Sequence, residues 1–423
     1  MPRCAAVLAA LFFTALLFAG CNINEEDIPE DTVSPHGGPL IMVHYMPWFN
    51  GPSVKAQETD QSKYQGHWSD WGRYNPATFK PDGRANIVGH YYPLTGPYDS
   101  SNPALLEYQV SLMKIAGIDG VIFDWYGSYV SNDFGQIHEH TKAMVSVLKK
   151  AGLKFLVCYE DNTLNMMGKS GNEALSIGKA SFDWAQENWF RTSEYVRFES
   201  RPVVLCFGPQ HFDTKAKWDT VFSGADPRPY FVDLDNRYPW ADASFNWFNL
   251  SGGQTLTQAL NNFYNGVQKN KPYRVATVYS AFDDDYSWGS YGSLDYSGGA
   301  NFDLTWTRAV VFNPAIIQIA TWNDYGEGTI IEPTIERGYN ELEYIQDRIR
   351  EWDSGFPFTK EDLRWPLEFY KLLYTQTAGA AQETAIKAAV NAVFAGDASA
   401  FRARTAETGL SVSTGDLKPL LRN

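Results

Sequence analysis

Residues 315–333 read AIIQIATWNDYGEGTIIEP. The apolar, largely β-branched run from Ile316 to Ala320 has the make-up of a strand buried on both faces. It breaks off into Trp322, Asn323, Asp324, Tyr325, Gly326 and Glu327. In a parallel barrel the C-terminal ends of the strands share one mouth, where the loops converge and chemistry is built. Two carboxylates three residues apart, beside an indole and an amide, suit glycosidic-bond cleavage. That reaction needs one acid for the leaving oxygen and a second group at or near the anomeric carbon. A polar surface loop that holds two acids by chance is the competing reading.

Seven further strand-like runs precede this one: Leu40–Tyr45, Gly120–Trp125, Lys154–Tyr159, Pro202–Phe207, Pro229–Leu234, Phe245–Phe248 and Val275–Tyr279. Amphipathic stretches lie between them, among them Ala104–Ala116, Ile137–Ala151, Phe182–Phe190, Thr255–Gln268 and Asp303–Phe312. Strands alternating with helices predict a parallel sheet, and eight of them predict a closed (β/α)8 TIM barrel of the α/β class. An open doubly wound sheet is the alternative, but no GxGxxG turn follows any strand. The first crossover, Met46 to Gly117, is far longer than a barrel connection needs, and it holds His67, Trp68, Trp71, His90, Tyr91, Tyr92 and Tyr98. Loops of that length over a barrel mouth serve as lids or binding walls. Beyond Trp365 the chain reads as a C-terminal helical cap, with Ala378–Phe401 rich in Ala.

The N-terminus has the look of a processing signal. Arg3 gives a weakly basic start, Ala5–Phe18 an apolar run too short for a confident membrane span, and Phe18-Ala19-Gly20-Cys21 resembles a bacterial lipoprotein cleavage box. Residues 1–20 are therefore expected as a signal peptide and Cys21 as the lipidated residue. Residues 21–38 form an acidic tether, with Glu25, Glu26, Asp27, Glu30 and Asp31, and 39–423 the barrel domain. The expected location is a membrane-anchored lipoprotein, on the outer-membrane surface or facing the periplasm. The remaining thiols, Cys158 and Cys206, sit in strand-like runs and read as buried structural cysteines.

A net charge of −14 and a pI of about 5.0 argue against nucleic acid and against anionic membrane surfaces as partners. A neutral poly- or oligosaccharide fits, and the 14 Trp, 24 Tyr and 26 Phe supply faces on which sugars stack, although large cores use aromatics too. No HExxH or zinc spacing, and no GxSxG turn, occurs, so neither a metal nor a cofactor nor a serine nucleophile is expected. Asp283–Asp285 could form a calcium loop but suits a solvated turn better.

If the barrel closes, the strand ends share a rim of carboxylates and aromatic platforms. The expected binding residues there are Tyr45, Trp48, Asp124, Trp125, Tyr126, Glu160, Trp247, Tyr279, Trp322 and Asn323, with His90 and Tyr91 from the long crossover. Asp124 could instead bond a neighbouring loop, and Glu160 could pair with an Arg. The sharpest catalytic pair is Asp324 and Glu327.

The stretch TWNDYGEGTIIEPT resembles the WNEWxEGTxIEP segment of glycoside hydrolase family 99, the endo-acting α-1,2-mannosidases and mannanases. His90-Tyr91-Tyr92-Pro93, Gly96–Ser100, Ala116–Gly120, Asp124-Trp125-Tyr126 and the Tyr45-Met46-Pro47-Trp48 strand end also resemble that family or its wider group with family 71. The likeness runs from about Pro39 to Thr334. It implies a barrel without metal that cuts inside α-mannosidic chains with retention. One carboxylate deprotonates the sugar's own 2-hydroxyl, which attacks the anomeric carbon, while another acts as acid and then base. By position, Asp324 would assist the 2-hydroxyl and Glu327 would be the acid/base. Glu332 would support the site, and Trp125 and Tyr45 would line sugar subsites. The family has Glu where this chain has Asp324, shorter by one C–C bond or about 1.5 Å, and Trp where it has Tyr325. That departure keeps other readings open: a different linkage or sugar, α-1,3-glucanase activity of the family 71 kind, a pairing of Glu160 with Glu327, or a glycan-binding lipoprotein that does not cut.

Overall fold

The structure is a computed structural model that describes residues 29–51, 66–247, 250, 253–266, 270–286 and 293–412. The leader, Cys21, Phe248 and Gln268 lie outside the described residues. Eight parallel strands carry the fold: β1 (Leu40–Tyr45), β2 (Gly120–Trp125), β3 (Lys154–Tyr159), β4 (Arg201–Cys206), β5 (Tyr230–Leu234), β6 (Ala243–Phe245), β7 (Val275–Tyr279) and β8 (Ile316–Ala320). Hydrogen-bonded neighbours run β6-β5-β4-β3-β2-β1-β8-β7. Val43 of β1 pairs with Val121 on one side and Ile319 on the other, so the β-branched runs meet in register and are wholly buried. Just before β4, Arg197–Phe198 makes a two-residue antiparallel hairpin with its start.

Side chains bridge the gap between β6 and β7 that no ladder spans among the described residues. Thr277 Oγ1 donates to the Asn246 carbonyl (2.7 Å), and Asn246 Nδ2 donates to the Tyr279 hydroxyl (3.1 Å). The result is a nearly closed (β/α)8 barrel. It also explains why β6 ends at Phe245 and not beyond: Asn246 leaves the ladder to serve the seam.

Helices α1 (Pro103–Ala116), α2 (Phe134–Lys150), α3 (Gly171–Asn188), α4 (Lys215–Val221), α5 (Leu256–Tyr264), α6 (Ala300–Phe312) and α7 (Asn340–Trp352) surround the strands. Local chemistry sets several ends. Asn102 caps α1 by accepting from the Ala104 and Leu105 N–H groups, and Gly117 closes it with φ 84°. Thr255 and Gln258 make a reciprocal capping box at α5. Helix α3 starts at Gly171, well before the expected Phe182, although Gly171 and Gly178 are poor helix formers. Packing overrides propensity there, because a Cβ at Gly178 would sit 3.0 Å from the Phe212 ring.

The C-terminal helices α8 (Trp365–Thr375), α9 (Ala380–Phe394) and α10 (Ala398–Glu407) follow as a cap, with α8 and α9 packed on α1. At the other end of the chain, part of the expected tether is anchored. Thr32 exchanges hydrogen bonds with Arg197 (3.1 and 2.9 Å), and Asp31 accepts from the Glu199 and Ser200 N–H groups (2.9 and 2.6 Å). Cys158 and Cys206 are free and buried on the adjacent strands β3 and β4.

Candidate active site

The loop after β8 is folded by its own short polar residues. Thr321 and Thr329 face each other through backbone (2.7 Å) and hydroxyl (3.0 Å) contacts, and the Asp324 N–H donates to Thr321 Oγ1 (2.8 Å). Asn323 fixes the loop to the end of β1, accepting from the Met46 N–H (2.8 Å) and donating to its carbonyl (3.0 Å). A second loop, after β7, lies alongside. The Asp283 and Asp285 N–H groups donate to the carbonyls of Glu327 and Gly326, both at 2.8 Å. Gly326 is required at this crossing, since a Cβ there would lie 2.0 Å from the Tyr286 ring.

Between these loops and the ends of β1 to β4 opens a cavity of about 350 Å³, within the range of small-molecule sites. Asp124, Glu160, Asp324 and Glu327 line it, and Trp48, Trp71, Tyr126, Trp247 and Tyr286 supply aromatic walls. Asp324 and Asp124 are only 3% and 4% exposed, while Glu160 and Glu327 are less deeply buried. Burial raises the proton affinity of all four, and repulsion from neighbouring acids, Asp284 in the case of Asp324, adds to it. Asp324 is pushed up to about 7, first by burial, against the pull of the Glu327 and Gly326 N–H groups and the Tyr286 hydroxyl. Its Oδ1 accepts the Glu327 N–H at 3.1 Å. Glu327 is held well above the usual carboxylate range by burial and then by Asp324. A hydrogen bond from the Trp247 side chain pulls the other way, and Glu327 Oε2 has no hydrogen-bond partner. The two neighbours are thereby ranked: Asp324 has the donors that stabilise an anion, and Glu327 keeps its proton longer.

The structure divides the expected binding residues. Trp48, Asp124, Tyr126, Glu160 and Trp247 join Asp324 and Glu327 around the cavity. Tyr45 and Trp125 do not. Side chains alternate along a strand, so with His44 and Asp124 facing inward, their neighbours face the helices. Tyr45 donates to Gln109 of α1 (2.8 Å), and Trp125 donates to His138 of α2 (3.1 Å) while packing on Phe182 of α3. Tyr279 is taken up by the β6–β7 seam, Asn323 by β1, and Trp322 is wholly buried. Glu332 lies in the core, accepting from Gln109 (2.7 Å) and from the Tyr98 and Tyr325 hydroxyls (both 2.8 Å), with burial pushing it up to about 7. His90 sits 3.5 Å from Asp283, and Tyr91 lies under the Arg337 guanidinium at 3.7 Å; neither lines the cavity.

Among the described residues, nine that line the cavity lie outside the list of expected contacts, and His67 and Tyr286 among them bear on the acids. His67, from the long crossover, stacks on Trp48 with ring centroids 3.9 Å apart and approaches the Tyr286 hydroxyl at 3.4 Å. Burial lowers its pKa to about 3, so the ring is neutral. Tyr286 contacts Asp324 from the β7 loop. The signal for His67 was its place in an overlong, aromatic-rich loop, whereas the acids before Tyr286 drew the reading to a turn. Those acids hold the roof together: Asp285 accepts from the Tyr74 hydroxyl (2.7 Å) and the Gly89 N–H (2.8 Å) and pairs with Arg73 (3.0 Å). Among the described residues no group of three or more His, Cys, Asp or Glu could hold a metal ion.

No family model matches the chain. A glycoprotein endo-alpha-1,2-mannosidase-like protein of Danio rerio is 21% identical over 372 residues, 78% of this chain and 78% of its own length. An ascus wall endo-1,3-alpha-glucanase of Schizosaccharomyces pombe is 29% identical over 143 residues, 33% of this chain and 31% of its own. Among solved structures, a GH99 endo-alpha-mannosidase from Bacteroides thetaiotaomicron aligns with a TM-score of 0.56 at 18% identity, covering 76% of this chain and 100% of that one. The chain thus has the barrel fold of a GH99 endo-alpha-mannosidase and, along most of its length, sequence similarity to an animal relative of the endo-alpha-1,2-mannosidases.

Proposed function

We propose that the protein is a glycoside hydrolase that cuts inside an α-linked polysaccharide, α-mannan first among candidates, with retention of configuration. The observation that carries this reading is the meeting of four carboxyls of raised proton affinity in one aromatic-walled cavity. Asp324, the better stabilised anion, takes the proton of the sugar's 2-hydroxyl as O2 bonds to the anomeric carbon. The bond from that carbon to the leaving oxygen breaks, and Glu327 gives its proton to that oxygen. Glu327, now ionised, takes a proton from water as the water oxygen opens the 1,2-anhydro ring at the anomeric carbon, and Asp324 returns its proton to O2. The free Oε2 of Glu327 suits it to this double duty. Trp48, Trp247 and Tyr126 provide stacking faces.

The test is product release from a panel of α-mannans, α-glucans and other polysaccharides, comparing the protein with Glu327→Gln. Oligosaccharides from one α-linked substrate are expected, with turnover reduced about 10²–10⁴-fold in the variant and binding retained. Binding without products from any substrate would replace the hydrolase by a glycan-capturing protein. A second substrate, α-1,3-glucan, is supported by the likeness to the fungal endo-1,3-alpha-glucanase. The same panel separates the two.

The protein is further proposed to be lipid-anchored through Cys21, on the strength of the Ala19-Gly20-Cys21 box after an apolar run. Cys21→Ala is expected to abolish incorporation of labelled fatty acid and to release the protein from membranes; label retained on the variant would rule the anchor out.

A further inference from the structure

Asp124 occupies an unusual position within the cavity. It faces inward as the penultimate residue of β2, it is 4% exposed, and its Oδ1 is closed from solvent without a hydrogen-bond partner. Its one side-chain hydrogen bond is with Tyr126. Among the described residues the groups around it are acidic or neutral, while the Arg237 guanidinium acts on the neighbouring Glu160. Asp324 and Glu327 come from the loop after β8, Glu160 from the loop after β3, the Cys158 thiol from β3 itself, and His44, with a ring that burial keeps neutral, lines the same cavity from β1. Among the described residues no Lys or Arg lines the cavity. A buried carboxylate with neither cation nor donor on one oxygen is strongly disfavoured as an anion, and two such groups in one pocket share a single charge between them. Asp324 has the N–H donors of its own turn to hold that charge, and Asp124 has none of them.

We propose that Asp124 works as a neutral carboxylic acid, donating a hydrogen bond from its free oxygen to a hydroxyl of the sugar held between Asp324 and Glu327. The proposal rests on the hydrolase reading of the cavity and adds a donor that the family-type pair does not supply. It makes Asp324 and Asp124 complementary, one accepting a proton from the sugar while the other lends one. It also selects an uncharged sugar, since a hydroxyl oxygen at this place meets a donor and not an anion. Loss of the Asp124 proton at high pH turns that donor into an acceptor and weakens binding.

Two variants decide between a donor and an anion. Asn keeps a donor in nearly the same place without charge, and Ala removes it. In a Glu327→Gln background that prevents turnover, calorimetric titration with an α-mannan oligosaccharide is expected to show Asp124→Asn binding at least about 10-fold more tightly than Asp124→Ala. Its affinity should also persist to higher pH than that of the Asp124 protein. Asn binding as poorly as Ala would overturn the proposal. Independently of any glycan, the infrared difference spectrum between the protein and Asp124→Asn at neutral pH should contain a carboxylic-acid C=O band. A carboxylate band in its place would overturn it. Should the protein release no product from any polysaccharide, the hydrolase reading falls, and the infrared spectrum still decides the state of Asp124.

Discussion

Asp324 and Glu327 show how neighbouring acids acquire different proton affinities. Both are buried in one pocket, so repulsion and desolvation act on both; the difference lies in who donates to whom. The Glu327 N–H turns back onto Asp324 at 3.1 Å, which is possible because an Asp side chain is short enough to close that turn. The Asp is thus integral to the loop and not a truncated Glu. Asp324→Glu would push the carboxylate outward by about 1.5 Å and break the turn contact. We expect kcat to fall by up to about 100-fold, the cost of a misplacement near 1 Å, with substrate affinity changed little. Higher turnover on mannan in that variant would show that the loop adapts and that the family spacing is the better one. The same scale explains Trp125. Its neighbour Asp124 faces the cavity, so alternation alone sends the indole to the helix layer.

At the scale of elements, ladders among the described residues hold the barrel everywhere except between β6 and β7. There Asn246 substitutes for a ladder, with its carbonyl serving Thr277 and its amide serving Tyr279. Trp247, the next residue, contacts Glu327, so the seam and the acid/base share one short segment. Asn246→Ala should lower stability by about 0.5–1.5 kcal/mol, the net worth of one buried hydrogen bond, because Thr277 still bonds the Tyr279 hydroxyl. Chemical denaturation measures it, and a midpoint equal to that of the parent would show that packing alone closes the seam. The elements also explain the acidic run after β7. Asp285 ties the long first crossover to the β7 loop through Tyr74, Gly89 and Arg73, and so holds the roof over the cavity.

The whole molecule sets the pH at which the site works. In the proposed mechanism Asp324 must be ionised to accept the sugar's proton, and at about 7 it is so only as pH rises through neutrality. Glu327 must stay protonated, and its higher proton affinity delays its loss. We therefore expect kcat/KM to rise along an acid limb near pH 7 and to fall along an alkaline limb above it, the two apparent values belonging to the coupled set. A rate that stays flat between about pH 5 and about pH 8 would remove Asp324 from the base role. Much of this molecule was legible from its chain. The strands Leu40–Tyr45, Gly120–Trp125, Lys154–Tyr159 and Val275–Tyr279 have the expected bounds, because buried parallel strands announce themselves as apolar β-branched runs. The place of Asp324 and Glu327 at the cavity was legible for a related reason: polar residues that end such a run must lie at the barrel mouth. Tertiary structure alone decided which rim residues reach the cavity. Tyr45 and Trp125 turn to the helices, Glu332 sinks into the core under three donors, and His67 and Tyr286 arrive from loops more than 200 residues apart. Local sequence records burial and turn chemistry, but the face a side chain takes and the proton it keeps depend on neighbours that only the closed barrel brings together.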